Sequence, residues 1–368
     1  MNYRELDTPT LLIDREIMLD NLRSMQDYAN RVGVALRPHT KTHKMPRIAN
    51  LQVKAGAAGI AVAKVGEAEV MAANGLSDIF IANEIAGEQK LERIRRLSES
   101  IDISFGVDSP CQVEGAELAF SSSAKPAELM IEIEVGENRS GIIEEKDFLI
   151  LLDCIRKCPH VRFRGLFSHD GNSYGAKDIA ECQSIFLGSQ RRTLRFAELA
   201  EGIGMKPDVV SVGSTPSLLN GFEILDGITE LRPGTYIFMD ASQANVIGTL
   251  DRCAATVLAT VISRPTSERV ILDVGAKGLT MQERTKGICA TPGKGTIKEY
   301  PTTHIRAVYD EHAIIYDKDF RDKVRIGDKV RIIPVHICPV CNLYDSVTLI
   351  SGEEIIEEIP ILCRGKLK

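Results

Sequence analysis

Between Val34 and Lys44 the chain reads Val-Ala-Leu-Arg-Pro-His-Thr-Lys-Thr-His-Lys. An apolar start runs into Arg37, His39, Lys41, His43 and Lys44. In an extended chain alternate side chains share a face, so Arg37, His39, Lys41 and His43 are expected to point the same way. Four cationic groups on one face are costly to bury unless an anion answers them. A lysine crowded by such neighbours loses proton affinity and becomes an amine nucleophile. The chemistry on offer is an imine at Lys41 beside a phosphorylated, anionic ligand. The bland alternative is an exposed basic strand.

Two glycine turns could supply the phosphate site. Gly213, Ser214 and Thr215 open the turn Gly213-Ser-Thr-Pro-Ser217, which follows an apolar run. Such turns present backbone N–H groups and hydroxyls to an anion. The second turn is Arg232-Pro-Gly-Thr-Tyr236, with Gly234, Thr235 and Tyr236. Each alone is also an ordinary polar turn. In His169-Asp-Gly-Asn-Ser-Tyr174, His169 could shuttle protons or stack on a planar ring, or be a satisfied structural histidine. Tyr174 adds a hydroxyl on the same segment. Arg139, after Glu137, could hold a phenolate-like oxygen or face solvent.

The late segment His336-Ile-Cys-Pro-Val-Cys341 pairs an imidazole and a thiol two residues apart. On a strand, His336 and Cys338 would project to one side and suit a zinc-type ion. No second Cys-x-x-Cys completes a four-cysteine structural site. A thioredoxin-like motif would open a helix early in a small domain, which does not match. Two ligands with open positions fit a catalytic metal; the alternative is a buried His and Cys in a β core.

These residues need elements to hold them. Apolar periodicity predicts a helix over Arg15–Val32. It then predicts strands at Val34–Thr40, Gly59–Ala63, Asp78–Asn83, Ile103–Val107, Glu128–Val135, Val161–His169, Val209–Thr215 and Glu230–Phe238, with helices between most of them. This alternation predicts an α/β chain with a (β/α)8 TIM-type barrel; a doubly wound sheet is the competitor. The unusual residues decide between them. Lys41, Arg139, His169, the Gly213 turn and the Gly234 turn fall at or near strand C-termini, where barrels build their sites, the last two loops being a frequent phosphate site. After Asp240 helical periodicity fades and strands follow one another. The expected domains are therefore a barrel over 9–240 and an all-β domain over 241–368, with the N-terminal strand free to pair with the latter.

Bulk properties narrow the partners. With 44% hydrophobic residues, 26% charged and a net charge of -6, nothing points to nucleic acid or an anionic membrane. No apolar run is long enough for a bilayer, and the N-terminus lacks a signal-peptide core. Nine cysteines, odd in number and irregular in spacing, argue against a disulfide framework and for a reducing cytoplasm.

The segments Thr8–Asp14, Arg37–Lys44, Ser211–Pro216, Arg232–Tyr236 and His336-x-Cys338 together resemble the D-threonine aldolase and eukaryotic-type D-serine dehydratase family. These are alanine-racemase-like, fold-type III pyridoxal-phosphate enzymes, and the resemblance runs from Thr8 to Arg364. It implies that Lys41 holds pyridoxal 5'-phosphate as a Schiff base. Gly213, Ser214, Gly234, Thr235 and Tyr236 would grip the phosphate, Arg139 would sit beside the phenolic oxygen and Tyr174 near the ring. His336 and Cys338 would bind a divalent metal, zinc or manganese. The substrate would be a small D-amino acid bearing a 3-hydroxyl, and the assembly a homodimer. As a His-x-Cys pair the metal motif leans towards the dehydratases, whereas Asn342-Leu-Tyr-Asp345 looks more like the aldolases. The reading adopted is an aldolase giving glycine and an aldehyde, with the dehydratase as alternative. A non-catalytic pyridoxal-phosphate carrier is a third possibility, against which the β domain and the His-x-Cys pair argue.

Overall fold

In the computed structural model, which describes residues 1–368, the chain forms two compact units. One comprises Gln26–Lys41, Pro46–Gly234 and Gly365–Lys368; the other Met1–Met25, Thr42–Met45 and Thr235–Arg364. The chain thus passes from one to the other directly after Lys41 and directly after Gly234. The first strand, β1 (Thr10–Asp14), belongs to the second unit.

The first unit is a parallel barrel. Its strands are β2 (Ala35–Leu36), β3 (Ile60–Val62), β4 (Asp78–Glu84), β5 (Asp102–Val107), β6 (Ala127–Ile133), β7 (Val161–Ser168), β8 (Val209–Val212) and β9 (Glu230–Leu231). They run β2-β9-β8-β7-β6-β5-β4-β3, and a parallel bridge between His39 and Ala61 joins the two ends. Helices such as Val65–Ala73, Glu88–Ser98, Glu145–Lys157 and Ile179–Gly202 return the chain between strands. Asp178 caps the last of these by accepting from the Glu181 N–H at 2.8 Å, the helix start expected of an Asp before an apolar-periodic run. The barrel interior packs Ala61, Phe80, Met130 and Phe167, and the Phe80 and Phe167 rings meet edge to face with centroids 5.0 Å apart.

Two strand expectations in the barrel are corrected. The first strand ends at Leu36, and residues 40–43 form a turn, so Arg37, His39, Lys41 and His43 do not share a strand face. Arg37 turns to carboxylates instead: its Nε lies 2.6 Å from Glu230 Oε2 and its Nη1 2.7 Å from Asp78 Oδ1. The Arg37 charge is thus met within the barrel. Removing one partner of such a buried pair costs about 3–5 kcal/mol. The final strand stops at Leu231, because Pro233 has no N–H to continue a ladder; Thr235–Ile237 is a 3-10 turn. Two of the helices between strands, Pro46–Lys54 and Pro110–Phe120, begin with proline, and Ser109 with Gln112 forms a capping box, a helix-start signature.

In the second unit β1 pairs antiparallel with β10 (Ala255–Ser263) and parallel with β17 (Ser346–Ser351), so the N-terminal strand does join the late sheet. Leu12, Leu258 and Ile350 pack there with Tyr3. β16 (Lys329–Pro334) flanks β10 on its other side. The His336–Cys338 segment is not a strand. β16 ends at Pro334, and His336 caps a short helix, Ile337–Cys341.

No helix is long and apolar enough to cross a membrane.

Candidate active site

In the barrel unit, adjacent strands deliver the expected residues. β7, β8, β9 and β2 are neighbours in that order. Their C-terminal ends lead to His169, the Gly213 turn, the Gly234 turn and Lys41. The His39 N–H bonds the Pro233 carbonyl at 2.9 Å, tying the Lys41 turn to the Gly234 turn. Gly213 has φ +121°, and a Cβ there would lie 3.0 Å from Leu218 Cδ1, so this bend needs glycine.

The Ser214 hydroxyl does not stand open. It and the Ser217 hydroxyl donate to Asp170 Oδ2 at 3.0 and 2.6 Å, and Ser173 Oγ lies 2.9 Å from Ser214 Oγ. Asp170 is 1% exposed and its Oδ1 has no partner. Burial pushes its carboxyl up to about 6, against the pull of these hydroxyls. Thr215, also buried, begins the short helix Thr215–Leu219.

Cationic groups gather around Lys41. His169 rests with Nδ1 3.3 Å from the Gly213 carbonyl, and its ring centroid is 6.4 Å from that of Tyr174. Burial, then the charges of Lys41, Arg139 and Arg232, hold His169 well below the usual histidine range. His39 is lowered by burial and by Lys41, Arg232 and His169. Arg232, 5% exposed, stacks over Phe167 at 5.3 Å and Phe80 at 5.8 Å. It donates to the Ser168 carbonyl at 2.7 Å. Burial lowers its guanidinium to about 10, so it stays charged at neutral pH. Arg139 is half exposed, 3.3 Å from Glu137 and 3.6 Å from Glu132. A buried surplus of positive charge fits an anionic ligand, as does the glycine-shaped bend at Gly213.

The second unit holds Thr235, Tyr236, His336 and Cys338. His336 and Cys338 hydrogen-bond to each other, although the helix start replaces the expected strand. His336 Nδ1 lies 3.0 Å from Asp240 Oδ2, which also accepts the Ile337 N–H at 3.1 Å. Asp240 Oδ1 caps the helix Ala241–Ile247 through the Gln243 N–H at 2.9 Å. One carboxylate thus starts a helix with one oxygen and fixes an imidazole with the other. Burial pushes the Cys338 thiol up, but His336, with Thr235 and Thr42, outweighs it and brings it down to about 7. Burial alone would lower His336; Cys338 and Asp240 instead raise it to about 10. Imidazole and thiolate with a carboxylate behind the histidine are a donor set suited to a divalent metal. No group of three or more His, Cys, Asp or Glu side chains gathers in metal-holding geometry. Cys341 is buried, and burial raises its thiol well above the usual range. Thr42, the residue after Lys41, has its Oγ1 3.2 Å from Cys338 Sγ. Thr235, the residue after Gly234, has its Oγ1 3.5 Å from the same sulfur.

Asp240, Asp170 and the Arg232 side chain were not singled out by the sequence. Asp170 directly follows His169, and Arg232 opens the second glycine turn; Asp240 stood out only as the point after which helical periodicity fades.

A parallel barrel with a lysine and glycine turns at its strand C-termini, in a chain that also builds a separate β unit from its two ends, defines the alanine-racemase-like class of pyridoxal-phosphate enzymes. Residues 13–242 match the alanine racemase N-terminal domain, and residues 254–350 a putative serine dehydratase domain. A D-threonine aldolase from Arthrobacter sp. is 33% identical over 365 residues, covering 98% of this chain and 93% of that protein. The structure of a D-threonine aldolase from Filomicrobium marinum superposes with TM-score 0.89 at 28% identity, covering 100% of this chain and 98% of the other. That of D-threo-3-hydroxyaspartate dehydratase from Delftia sp. gives 0.90 at 28% identity, with 98% of each chain covered. The same dehydratase has been solved in a metal-free form with a cysteine replaced by alanine. The chain belongs to the D-threonine aldolase and D-serine dehydratase family, a group of pyridoxal-phosphate-dependent lyases.

Proposed function

We propose that the chain is a pyridoxal-phosphate- and metal-dependent lyase that cleaves D-3-hydroxy amino acids to glycine and an aldehyde. The observation that carries this reading is the short path in the chain from lysine to metal pair. Thr42, next to Lys41, contacts Cys338, whose partner His336 is oriented by Asp240.

When bound, pyridoxal phosphate supplies an electron sink and a divalent metal supplies a Lewis acid for the substrate hydroxyl. Lys41 would hold the cofactor through its amine, and the Gly213–Thr215 and Gly234–Tyr236 segments would hold its phosphate. Arg139 would serve its phenolic oxygen and Tyr174 its ring. His336 and Cys338 would hold the metal, with Asp240 keeping the proton on His336 Nδ1 and leaving Nε2 for binding. A thiolate donor favours zinc over manganese. His169, kept neutral by burial among cations, takes the β-hydroxyl proton at Nε2 while Nδ1 donates to Gly213.

The 33% identity to a D-threonine aldolase across nearly the whole chain supports the retro-aldol course. A dehydratase giving ammonia and a 2-oxo acid is the second reading, favoured by the cysteine in the metal pair and by the Delftia enzyme, 30% identical over 349 residues. Incubation with D-threonine, D-serine and D-3-hydroxyaspartate, with and without chelator, separates them. Aldehyde plus glycine is the expected product; ammonia plus a 2-oxo acid reassigns the reaction. Turnover that survives complete metal removal excludes the metal role. Nine cysteines, none of them in a disulfide, support a reducing, cytoplasmic setting, and light scattering tests the homodimer.

A further inference from the structure

Glu84 and Glu132 stand near the C-terminal ends of β4 and β6, with β5 between them. Glu84 lies opposite Gly106 of β5, which lies opposite Met130 of β6. Gly106 leaves the intervening strand without a side chain; a Cβ there would meet the Asn83 carbonyl oxygen at 2.7 Å and Phe167 Cζ at 3.0 Å. Across β5 the Glu84 and Glu132 carboxyls come within hydrogen-bonding reach of each other. Two ionised carboxylates are both acceptors and cannot bond; the contact requires a proton.

The surroundings fix what that proton does. Glu132 is 5% exposed, and Glu84 Oε1 is buried without a partner. Ser140 Oγ donates to Glu132 Oε2 at 2.7 Å, and Arg139 Nη2 lies 3.6 Å from Glu132 Oε1. Asp108 bears on Glu84 from the segment after β5, with its Oδ2 accepting the Gly141 N–H at 3.4 Å. Arg232 feels Glu132 from the turn after β9. Glu137, between Arg139 and Lys41, feels both of these as well as Glu132 and Glu134. Arg139 is already opposed by Glu137 at 3.3 Å, and Asp108 adds a like charge beside Glu84, so a second charge on the pair is disfavoured.

We propose that Glu84 and Glu132 share one proton and act together as positioning residues for Arg139. Glu84 donates the proton to Glu132, and Glu132 in turn holds the guanidinium 3.6 Å from its Oε1. Loss of the proton doubles the charge behind Arg139 and draws it away from its ligand. The role of Arg139 rests on the pyridoxal-phosphate reading; the shared proton belongs to the protein alone.

Infrared difference spectroscopy on the cofactor-free protein tests the proton directly. Burial and Glu132 raise the Glu84 carboxyl to about 8, so a protonated-carboxyl band should titrate away near that pH and be missing in Glu84→Gln. Asp170, near 6, gives a separate band that the substitution leaves in place. Absence of a band titrating above pH 7, or its persistence in Glu84→Gln, overturns the proposal. Glu132→Gln is the second test, useful if the first variant fails to fold. The Glu84 midpoint must move down by about one pH unit or more, and an unmoved midpoint overturns the proposal. In the loaded enzyme the cofactor absorbance should vary with pH near 8 in wild type and be flat in Glu84→Gln, which still donates to Glu132 but cannot ionise; identical profiles remove the link to Arg139. Borohydride trapping at Lys41 is measured in parallel. Failure to trap removes the cofactor reading, while the infrared result still judges the proton.

Discussion

The barrel and the β unit each bury histidines, and they treat them in opposite ways. His39 and His169 lie among Lys41, Arg139 and Arg232, and both are driven well below the usual histidine range. His336 lies between Asp240 and Cys338 and is raised to about 10. Desolvation favours the neutral ring in all three, so the sign of the neighbouring charge decides. The barrel keeps neutral imidazoles beside a cationic cradle, suited to accepting a proton near an anion. The β unit keeps an imidazole and a thiolate held together by charge. A divalent cation can replace the His336 proton there, since ligands bind metals in their deprotonated forms.

Lys41→Ala breaks the barrel side most severely: kcat should fall about 10³-fold or more and borohydride should no longer fix the cofactor. Full activity in this variant would remove the lysine from the chemistry. Asp240→Asn acts on the other side. Metal affinity should drop about 10–100-fold, read as a lower chelator concentration for half inactivation, while trapping at Lys41 is unchanged. A coupled loss of trapping would show that the two regions are not independent. Gly213→Ala should cost about 1–3 kcal/mol through backbone strain, measured by urea unfolding, and weaken phosphate binding in the same protein. The smallest effect is a slope. Below the usual histidine value of 6.5 the unfolded chain takes up protons that His39 and His169 refuse when folded. The stability of the cofactor-free protein should therefore fall as pH drops below 6.5. His169→Gln should flatten that slope by up to about 1.4 kcal/mol per pH unit; an unchanged slope would mean that His169 is not held neutral.

The barrel and the β sheet were legible because apolar periodicity records burial, and burial is what the elements are built to achieve. The Lys41 turn was harder to read. Alternation put Arg37 on the same face as Lys41, but Arg37 belongs to Glu230 and Asp78, and only the closed barrel brings Glu230 back 193 residues later. His336-x-Cys338 met for a reason other than the one its spacing gave: a helix cap, not a strand face, joins the two side chains. The carboxylates that tune the sites were invisible for a common reason. Asp240 stands 96 residues from His336, and Glu132 reaches Glu84 only across the intervening strand β5. Such pairings are made by the fold and leave no local pattern.

β1 has a consequence for the order of synthesis. Its residue Thr10 pairs with Leu258, and its partner on the other side, β17, begins only at Ser346. At about 5–20 residues per second of translation, β1 waits roughly 12–50 s for its first neighbour and longer for its second. All eight barrel strands are made in that interval. Contacts this distant in sequence form slowly, so a nascent chain must keep an apolar strand unpaired while the whole barrel is synthesised.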